Sequence, residues 1–398
     1  MQGGTKRPLL LLRSRLNTSR TTWLASCSLS LPIRRNYQGH AAGAEIVDTS
    51  GYADFRSDTA TRPTPGMRRA MAEAPVGDDV FREDPTIARL EAKMRELTGK
   101  EAALFCCTGT MSNQLGLRCA LSALTSVVCD KRAHIYRYEA GGVAYHAQAQ
   151  VVPIDPHPDH GHITAEQVED NIFPQDDHYA VTKVVSLENT LAGAVFPIDE
   201  IRRIGDVAKK HGLHMHLDGA RLWNANVASG VSLKEYGDCF DTLSICLSKG
   251  LGAPVGSVLV GKTELINKAR HYRKLWGGGW RQGGVLAAAG LYAIENQWER
   301  MKEDHDIAAY LGKELERMGF QLAQPVQTNI VMVDSDRLGL PWEPIAAKLK
   351  EKGILVAALS KYRARFVTHI QTPRSDVDKL LSELPSILRL LKDEQQHH

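Results

Sequence analysis

Apolar positions along this chain follow two rhythms. From Pro85 to Gly99, Ile87, Leu90, Met94 and Leu97 recur at helical spacing with charges between them, which predicts an amphipathic helix stopped by Gly99. Short apolar runs follow at Ala102 to Cys106, Ser126 to Cys129, Val151 to Ile154, Val181 to Leu187, His214 to Leu217, Thr242 to Cys246 and Gly256 to Val260, with helix-like stretches such as Ile198 to His211 between them. Strands alternating with helices imply a mainly parallel sheet covered on both faces. Ligands of such sheets bind beyond the carboxyl ends of the strands. Upstream, Arg62 to Gly66 (RPTPG) reads as a turn.

From about residue 310 the pattern becomes helix, strand (Thr328 to Val333), helix (Pro344 to Lys352), strands near Ile354 to Ala358 and Arg365 to His369, and a last helix from Asp376. This predicts a smaller α/β domain. The expected boundaries are 1–45 for a leader, 46–309 for a large domain with an N-terminal arm, and 310–390 for the small domain.

At 398 residues the chain suits two domains, and 43% apolar with 24% charged residues excludes collagen-like, disordered and membrane classes. The net charge of +3 hides an asymmetry: residues 1–44 hold no Asp or Glu but carry Lys6, Arg7, Arg13, Arg15, Arg20, Arg34 and Arg35, which leaves the remainder at −4. A mildly acidic body argues against a nucleic-acid partner. The acid-free, Arg- and Ser-containing start matches a mitochondrial transit peptide, with a cytoplasmic location as the alternative. Its apolar run Leu9 to Leu12 is far shorter than the roughly 20 residues that span a bilayer, so no membrane partner is expected. Seven cysteines without a CxxC pair point to a reducing compartment, and the adjacent Cys106 and Cys107 read as small buried residues on opposite strand faces.

Three segments carry candidate chemistry. SICLSKGLGAPVGS places Lys249 just beyond an apolar strand and before glycines, an amine that forms a Schiff base if its surroundings suppress the ammonium form; a solvated surface lysine is the alternative. HMHLDGARLWNA delivers Asp218 at a strand end with Arg221 three residues on; the carboxylate suits a protonated pyridine nitrogen, or it is merely a helix cap. CCTGTMSNQ runs from a strand through Gly109 and Thr110 into a helix, which makes a phosphate cradle from backbone N–H groups and the helix dipole. In chain order, phosphate turn, Asp-x-x-Arg after a strand and strand-Ser-Lys about thirty residues later, the three compose a fold-type-I pyridoxal-phosphate pattern.

The strings DFRSDTATRPTPGM, EDPT, TGTMSNQ, HIYRYEAGG, SLENT, HLDGARLWNA, SKGLGAPVGS, LWGGGWRQ and RFVTH, in this order over roughly residues 54–375, resemble those of the low-specificity L-threonine aldolases, and the chain is similar to the animal members that carry a mitochondrial presequence. Residues 155–178, rich in His and Asp, are the least family-like part. The resemblance implies an aspartate-aminotransferase-like α/β fold, with a large mixed, mainly parallel sheet and a small C-terminal α/β domain. It also implies a homotetramer with active sites at subunit interfaces, and pyridoxal 5'-phosphate as cofactor.

By the same resemblance Lys249 carries the cofactor, Asp218 pairs with its pyridine nitrogen and His134 stacks on its ring. Gly109 and Thr110 bind phosphate, with Arg281 and Lys274 assisting and Arg281 reaching in from a neighbouring subunit. Ser57, Arg221 and Arg365 hold the substrate carboxylate, Arg221 also suiting the cofactor's phenolic oxygen, and His178 approaches the substrate hydroxyl. Arg365 could otherwise be a surface charge and Lys274 a solvated helix residue. The implied reaction is retro-aldol cleavage of L-threonine or L-allo-threonine to glycine and acetaldehyde, with His134, His178 or a bound water taking the β-hydroxyl proton. An aminotransferase or a β-eliminating lyase would use the same Lys, Asp and phosphate turn. A metal-binding or non-catalytic protein is a further alternative, suggested by His157, His160 and His162 and by His211, His214 and His216, but no ligand set is fixed by the spacing, and no metal site is expected.

Overall fold

The computed structural model describes residues 48–397, all within one compact unit, Glu45–His398; the expected leader over 1–45 lies outside the described residues. In chain order the strands are β1 (Ala53–Asp54), β2 (Ala102–Cys106), β3 (Thr125–Asp130), β4 (Gln150–Ile154), β5 (Val181–Glu188), β6 (His214–Gly219), β7 (Thr242–Cys246), β8 (Ser257–Gly261), β9 (Gln321–Leu322), β10 (Ile330–Asp334), β11 (Ile354–Leu355), β12 (Ala357–Ala358) and β13 (Arg363–Val367). Strands β2 to β8 form a seven-stranded sheet in the order β2-β8-β7-β6-β5-β3-β4. It is parallel from β7 through β6, β5 and β3 to β4, whereas β8 runs antiparallel to both its neighbours. The predicted mainly parallel sheet is therefore present, with a single reversed strand, β8, inserted between the edge strand β2 and β7.

The alternation of side chains across each strand sorts them onto two faces. Phe105, Leu187, Met215, Leu217, Leu243, Ile245 and Val258 pack with Ile87, Leu90 and Met94 of the Pro85–Thr98 helix and with Ile201 and Ile204 of the Ile198–Lys210 helix. The intervening residues Leu104, Cys106 and Leu259 meet Leu115 and Cys119 of the Gly109–Ala120 helix. Both faces are covered, which is why β3, β7 and β8 are buried at every position, the polar Thr242, Ser244 and Ser257 included.

A second core surrounds Trp342, which is fully buried between Phe320 at 5.2 Å and Phe366 at 5.6 Å. Its sheet has the order β12-β13-β10-β9. The run expected as one strand near Ile354 to Ala358 is split: β12 joins this sheet, while β11 pairs in parallel with β1. That pairing draws the N-terminal arm onto the second core, where Ala53 and Phe55 are buried, and so fixes the path of the next residues, Arg56 to Thr61. The Met301–Arg317 helix carries Met301 in the first core and Ala308, Leu311 and Leu315 in the second, so the change of core falls inside one helix.

Candidate active site

The Gly109–Ala120 helix rests on a polar strip of the sheet. Thr108 starts it, its Oγ1 accepting from the Met111 N–H at 3.0 Å. Positions 109, 112, 113 and 116 form one face at helical spacing, and all four meet the sheet. A Cβ on Gly109 would stand 2.5 Å from Cys246 Sγ, and one on Gly116 would stand 2.8 Å from His216 Cε1, so glycine at both places is what allows the close approach. Between them, Ser112 Oγ lies 2.7 Å from Ser257 Oγ and beside Ser244 Oγ. The Asn113 amide nitrogen donates to Asp218 Oδ2 at 2.7 Å and to Glu139 Oε1 at 2.9 Å.

A hydrogen-bonded line supports that amide from below. His214 Nε2 meets Thr242 Oγ1 at 2.8 Å, Thr242 Oγ1 meets His216 Nδ1 at 2.9 Å, and His216 Nε2 meets Asn113 Oδ1 at 3.2 Å. Burial pushes the His216 imidazole down to about 3, with a smaller push from His214, so it stays neutral and donates one proton along the line. The chain Thr242, His216, Asn113 thereby aims two N–H bonds at carboxylates.

Those carboxylates gather at the carboxyl ends of neighbouring strands. Glu188 closes β5 in register with Asp218 of β6. Burial, reinforced by the adjacent Asp218 charge, raises Glu188 well above the usual carboxylate range. Its Oε2 accepts the backbone N–H of His134 at 2.7 Å. The His134 Nδ1 is held 2.8 Å from Glu139 Oε1, and Glu139, itself buried, also accepts from Gln114. Burial opposes a charge on His134, but the Glu139 hydrogen bond and the Asp218 carboxylate prevail and its pKa is raised. His134, Glu139 and Asp218 each bring a ligating atom within 4.8 Å of the others. Asn113 donates to both carboxylates, so these lone pairs already serve a hydrogen-bond network.

Lys249 lies three residues beyond the end of β7 and is half-buried. Its carbonyl accepts from Thr61 Oγ1 at 3.1 Å and from the Gly252 N–H at 2.8 Å, which fixes the turn that presents the amine. Its charge bears on Glu188, Asp58 and Cys246. Burial works to raise Asp58, yet the guanidinium of Arg221 and the Lys249 ammonium hold it well below the ordinary range. Arg221 closes on it with Nε at 2.8 Å and Nη2 at 2.7 Å. Next to Asp58, Ser57 accepts from the Thr59 N–H, and Arg365 donates from Nη2 to Arg56 O at 2.9 Å, which brings its guanidinium to the backbone just before Ser57.

The structure thus brings Lys249, Asp218, His134, Arg221, Gly109, Ser57 and Arg365 to the strand ends. Thr110 is exposed on the first turn of its helix, and Lys274 is exposed in the last turn of the Thr263–Leu275 helix. Arg281 is 57% exposed and bonds Asp78 at 3.0 Å. His178 is not brought to the cluster within this chain: it is exposed and precedes β5, whose far end carries Glu188, about 25 Å away for eight residues in strand conformation. Sequence reasoning passed over Asp58, Asn113, Glu139 and Glu188 as site residues. Asp58 stands directly beside Ser57 and Asn113 one helical turn beyond Thr110, inside the polar triplet Ser112-Asn113-Gln114 that marks a buried network, whereas Glu139 lies five residues beyond His134 and Glu188 is close in sequence to no chosen residue.

These donors fit pyridoxal phosphate. The first-turn N–H groups of Gly109 and Thr110 have no intrahelical partner and stand at the positive end of a 12-residue helix, an anion cradle that a Cβ at 109 would disturb. A buried, oriented carboxylate and a strand-end amine complete the set for a pyridinium nitrogen and an aldehyde.

Comparison with known proteins agrees. A family model described as beta-eliminating lyase matches residues 54–337. The chain is 43% identical over 360 residues to a low-specificity L-threonine aldolase of Candida albicans, covering 87% of this chain and 92% of that protein. It is 41% identical over 339 residues to a low specificity L-threonine aldolase of Escherichia coli (strain K12), covering 84% and 99%. Among solved structures, a threonine aldolase of Leishmania major superposes with a TM-score of 0.74 at 23% identity, over 84% of this chain and 99% of that one. A structure of SPT with PLP internal aldimine superposes at 0.65 with 18% identity, over 86% and 88%, which shares the fold.

Proposed function

The chain belongs to the beta-eliminating lyase family, among the low-specificity L-threonine aldolases, and from that premise we propose how its residues divide the work of a pyridoxal-phosphate lyase that converts L-threonine to glycine and acetaldehyde. The observation that carries this reading is the Asn113 amide, which ties Asp218 to Glu139, with Glu188 in register beside Asp218 at the strand ends where the Lys249 charge acts. Lys249 would hold the cofactor covalently through Nζ, Asp218 would face its ring nitrogen, His134 would lie on its ring, and the N–H groups of Gly109 and Thr110 would hold its phosphate. When bound, the cofactor supplies an electron sink for a bond broken at the amino acid's Cα.

Which bond breaks is then decided by this chain's side chains. Ser57 and Arg365, adjoining through the Arg56 carbonyl, would grip the substrate carboxylate, and Arg221, with Nε and Nη2 engaged by Asp58, would add Nη1. A carboxylate so gripped would fix the amino acid's orientation and present the Cα–Cβ bond for cleavage. His134, its Nδ1 tied to Glu139, presents Nε2 to take the β-hydroxyl proton as the Cα–Cβ bond opens to acetaldehyde; a proton returned to Cα completes glycine. Lys274 would stand near the phosphate, with its neighbour Gly279 close by.

We also place the chain in a homotetramer, with the exposed Arg281 serving a neighbouring copy's phosphate site, and in the mitochondrial matrix, on the support of the acid-free basic first 44 residues. The test of the reaction is product analysis on the purified full chain with L-threonine. Equal amounts of acetaldehyde and glycine are expected. Keto acid without aldehyde would instead identify an aminotransferase or an eliminating lyase.

A further inference from the structure

The β4-to-helix connection carries histidines that the catalytic reading leaves unused. His157, His160 and His162 fall within six residues, and the loop folds back on itself: the His157 N–H donates to His162 O at 2.9 Å and the Gly161 N–H to His157 O at 2.8 Å. Gly161 has φ +71°, a left-handed turn that glycine adopts without strain. The result is three imidazoles in a row, with ring centres 4.5 Å apart for His157 and His160 and 5.8 Å apart for His160 and His162. Two imidazoles on one tetrahedral zinc, with Zn–N bonds of about 2.0–2.1 Å, have ring centres about 5 Å apart, which lies between these two spacings.

Two features prepare the cluster. His162 Nδ1 lies 3.0 Å from Ile163 O, which fixes the proton there and leaves the Nε2 lone pair for a metal, the usual outer support of a ligating imidazole. The three rings also line a pocket of about 510 Å³ whose other wall includes Glu166, Asp170 and Glu200. Arg203 in that wall pairs with Glu166 and Glu200, so its charge is offset before an incoming cation meets it.

We propose that His157, His160 and His162 form a surface site for a borderline divalent cation of the zinc class, with the fourth position filled by water or by a carboxylate of the facing wall. His162 is half-buried and packed on Phe196 at 4.8 Å, so it is the fixed member; His157 is half-buried and His160 exposed, and their ring nitrogens converge on His162 by side-chain rotation. The site would pin the loop after β4 to the start of the Ile198–Lys210 helix and is independent of the aldolase assignment.

The test is metal analysis of untagged, full-chain holoenzyme after chelator treatment and dialysis against zinc, beside a His157→Ala, His160→Ala, His162→Ala triple variant. The parent should hold one more zinc per chain than the variant, gain thermal stability on zinc addition that the variant lacks, and give a cobalt derivative without sulfur-to-metal absorption. Affinity in the variant should fall more than about tenfold. Unchanged aldehyde release in the metal-free variant would establish that it folds. Equal zinc in parent and variant, no zinc in either, or sulfur-to-cobalt absorption that persists in the variant would each overturn the proposal.

Discussion

Asp58 and Arg221 close on each other across 163 residues of sequence, through hydrogen bonds of 2.8 and 2.7 Å, with Asp58 fully buried. The pair ties the N-terminal arm to the turn after β6 and so sets Ser57 against the catalytic strand ends. Replacing one partner strands a buried charge. Asp58→Asn should therefore cost about 3–5 kcal/mol in unfolding free energy, measured by denaturant titration. Because the folded carboxyl titrates below its unfolded value of about 3.9, the pair's contribution is present above that pH and is lost as pH falls through the folded value. The variant should lose correspondingly less stability at the acid end than the parent.

Two buried imidazoles act in the same direction at milder pH. Burial holds His216 down to about 3 and His305 to about 4, against about 6.5 in an unfolded chain. Below pH 6.5 the unfolded chain takes up protons that the folded one refuses, so stability falls as pH drops toward those values, by at most about 1.4 kcal/mol per pH unit for each residue. His216→Asn and His305→Asn should each flatten the decline between pH 6.5 and 4. A slope unchanged in both variants would show that other groups cause it.

The cofactor cradle depends on contact between Gly109 and Cys246. Gly109→Ala places a methyl 2.5 Å from Cys246 Sγ and should cost about 1–3 kcal/mol of overpacking, part of it as lifting of the helix start. Cofactor affinity should fall by about tenfold for each 1.4 kcal/mol that reaches the phosphate. Gly109→Ala with Cys246→Ala removes the sulfur and should recover most of that affinity in a fluorescence titration.

Much of this molecule was legible from its residues. The apolar runs from Ala102 to Val260 fall on β2 to β8 within two residues, because most of these strands are buried along nearly their whole length, even where the polar strip under the Gly109–Ala120 helix interrupts the apolar run. Lys249, Asp218 and Gly109 were placed by where strands stop. What escaped was non-local. The division of Ile354 to Ala358 between two sheets depends on β1, some 300 residues upstream, and no periodicity in the run announces it. Asp58 acquires meaning only beside Arg221, and Glu188 only in register with Asp218. His178 is implied by the resemblance alone, at the end of the least family-like stretch, and β5 carries the chain away from it before the strand ends are reached.

The central claim is that one particular amine bears the cofactor. Borohydride reduction of the purified holoenzyme, followed by proteolysis and mass spectrometry, reads that amine directly. The account predicts the pyridoxyl mass on the peptide containing Lys249, and no such mass together with no acetaldehyde release in Lys249→Ala. A pyridoxyl group found on Lys274 or another lysine, or full aldehyde release by Lys249→Ala, would contradict it.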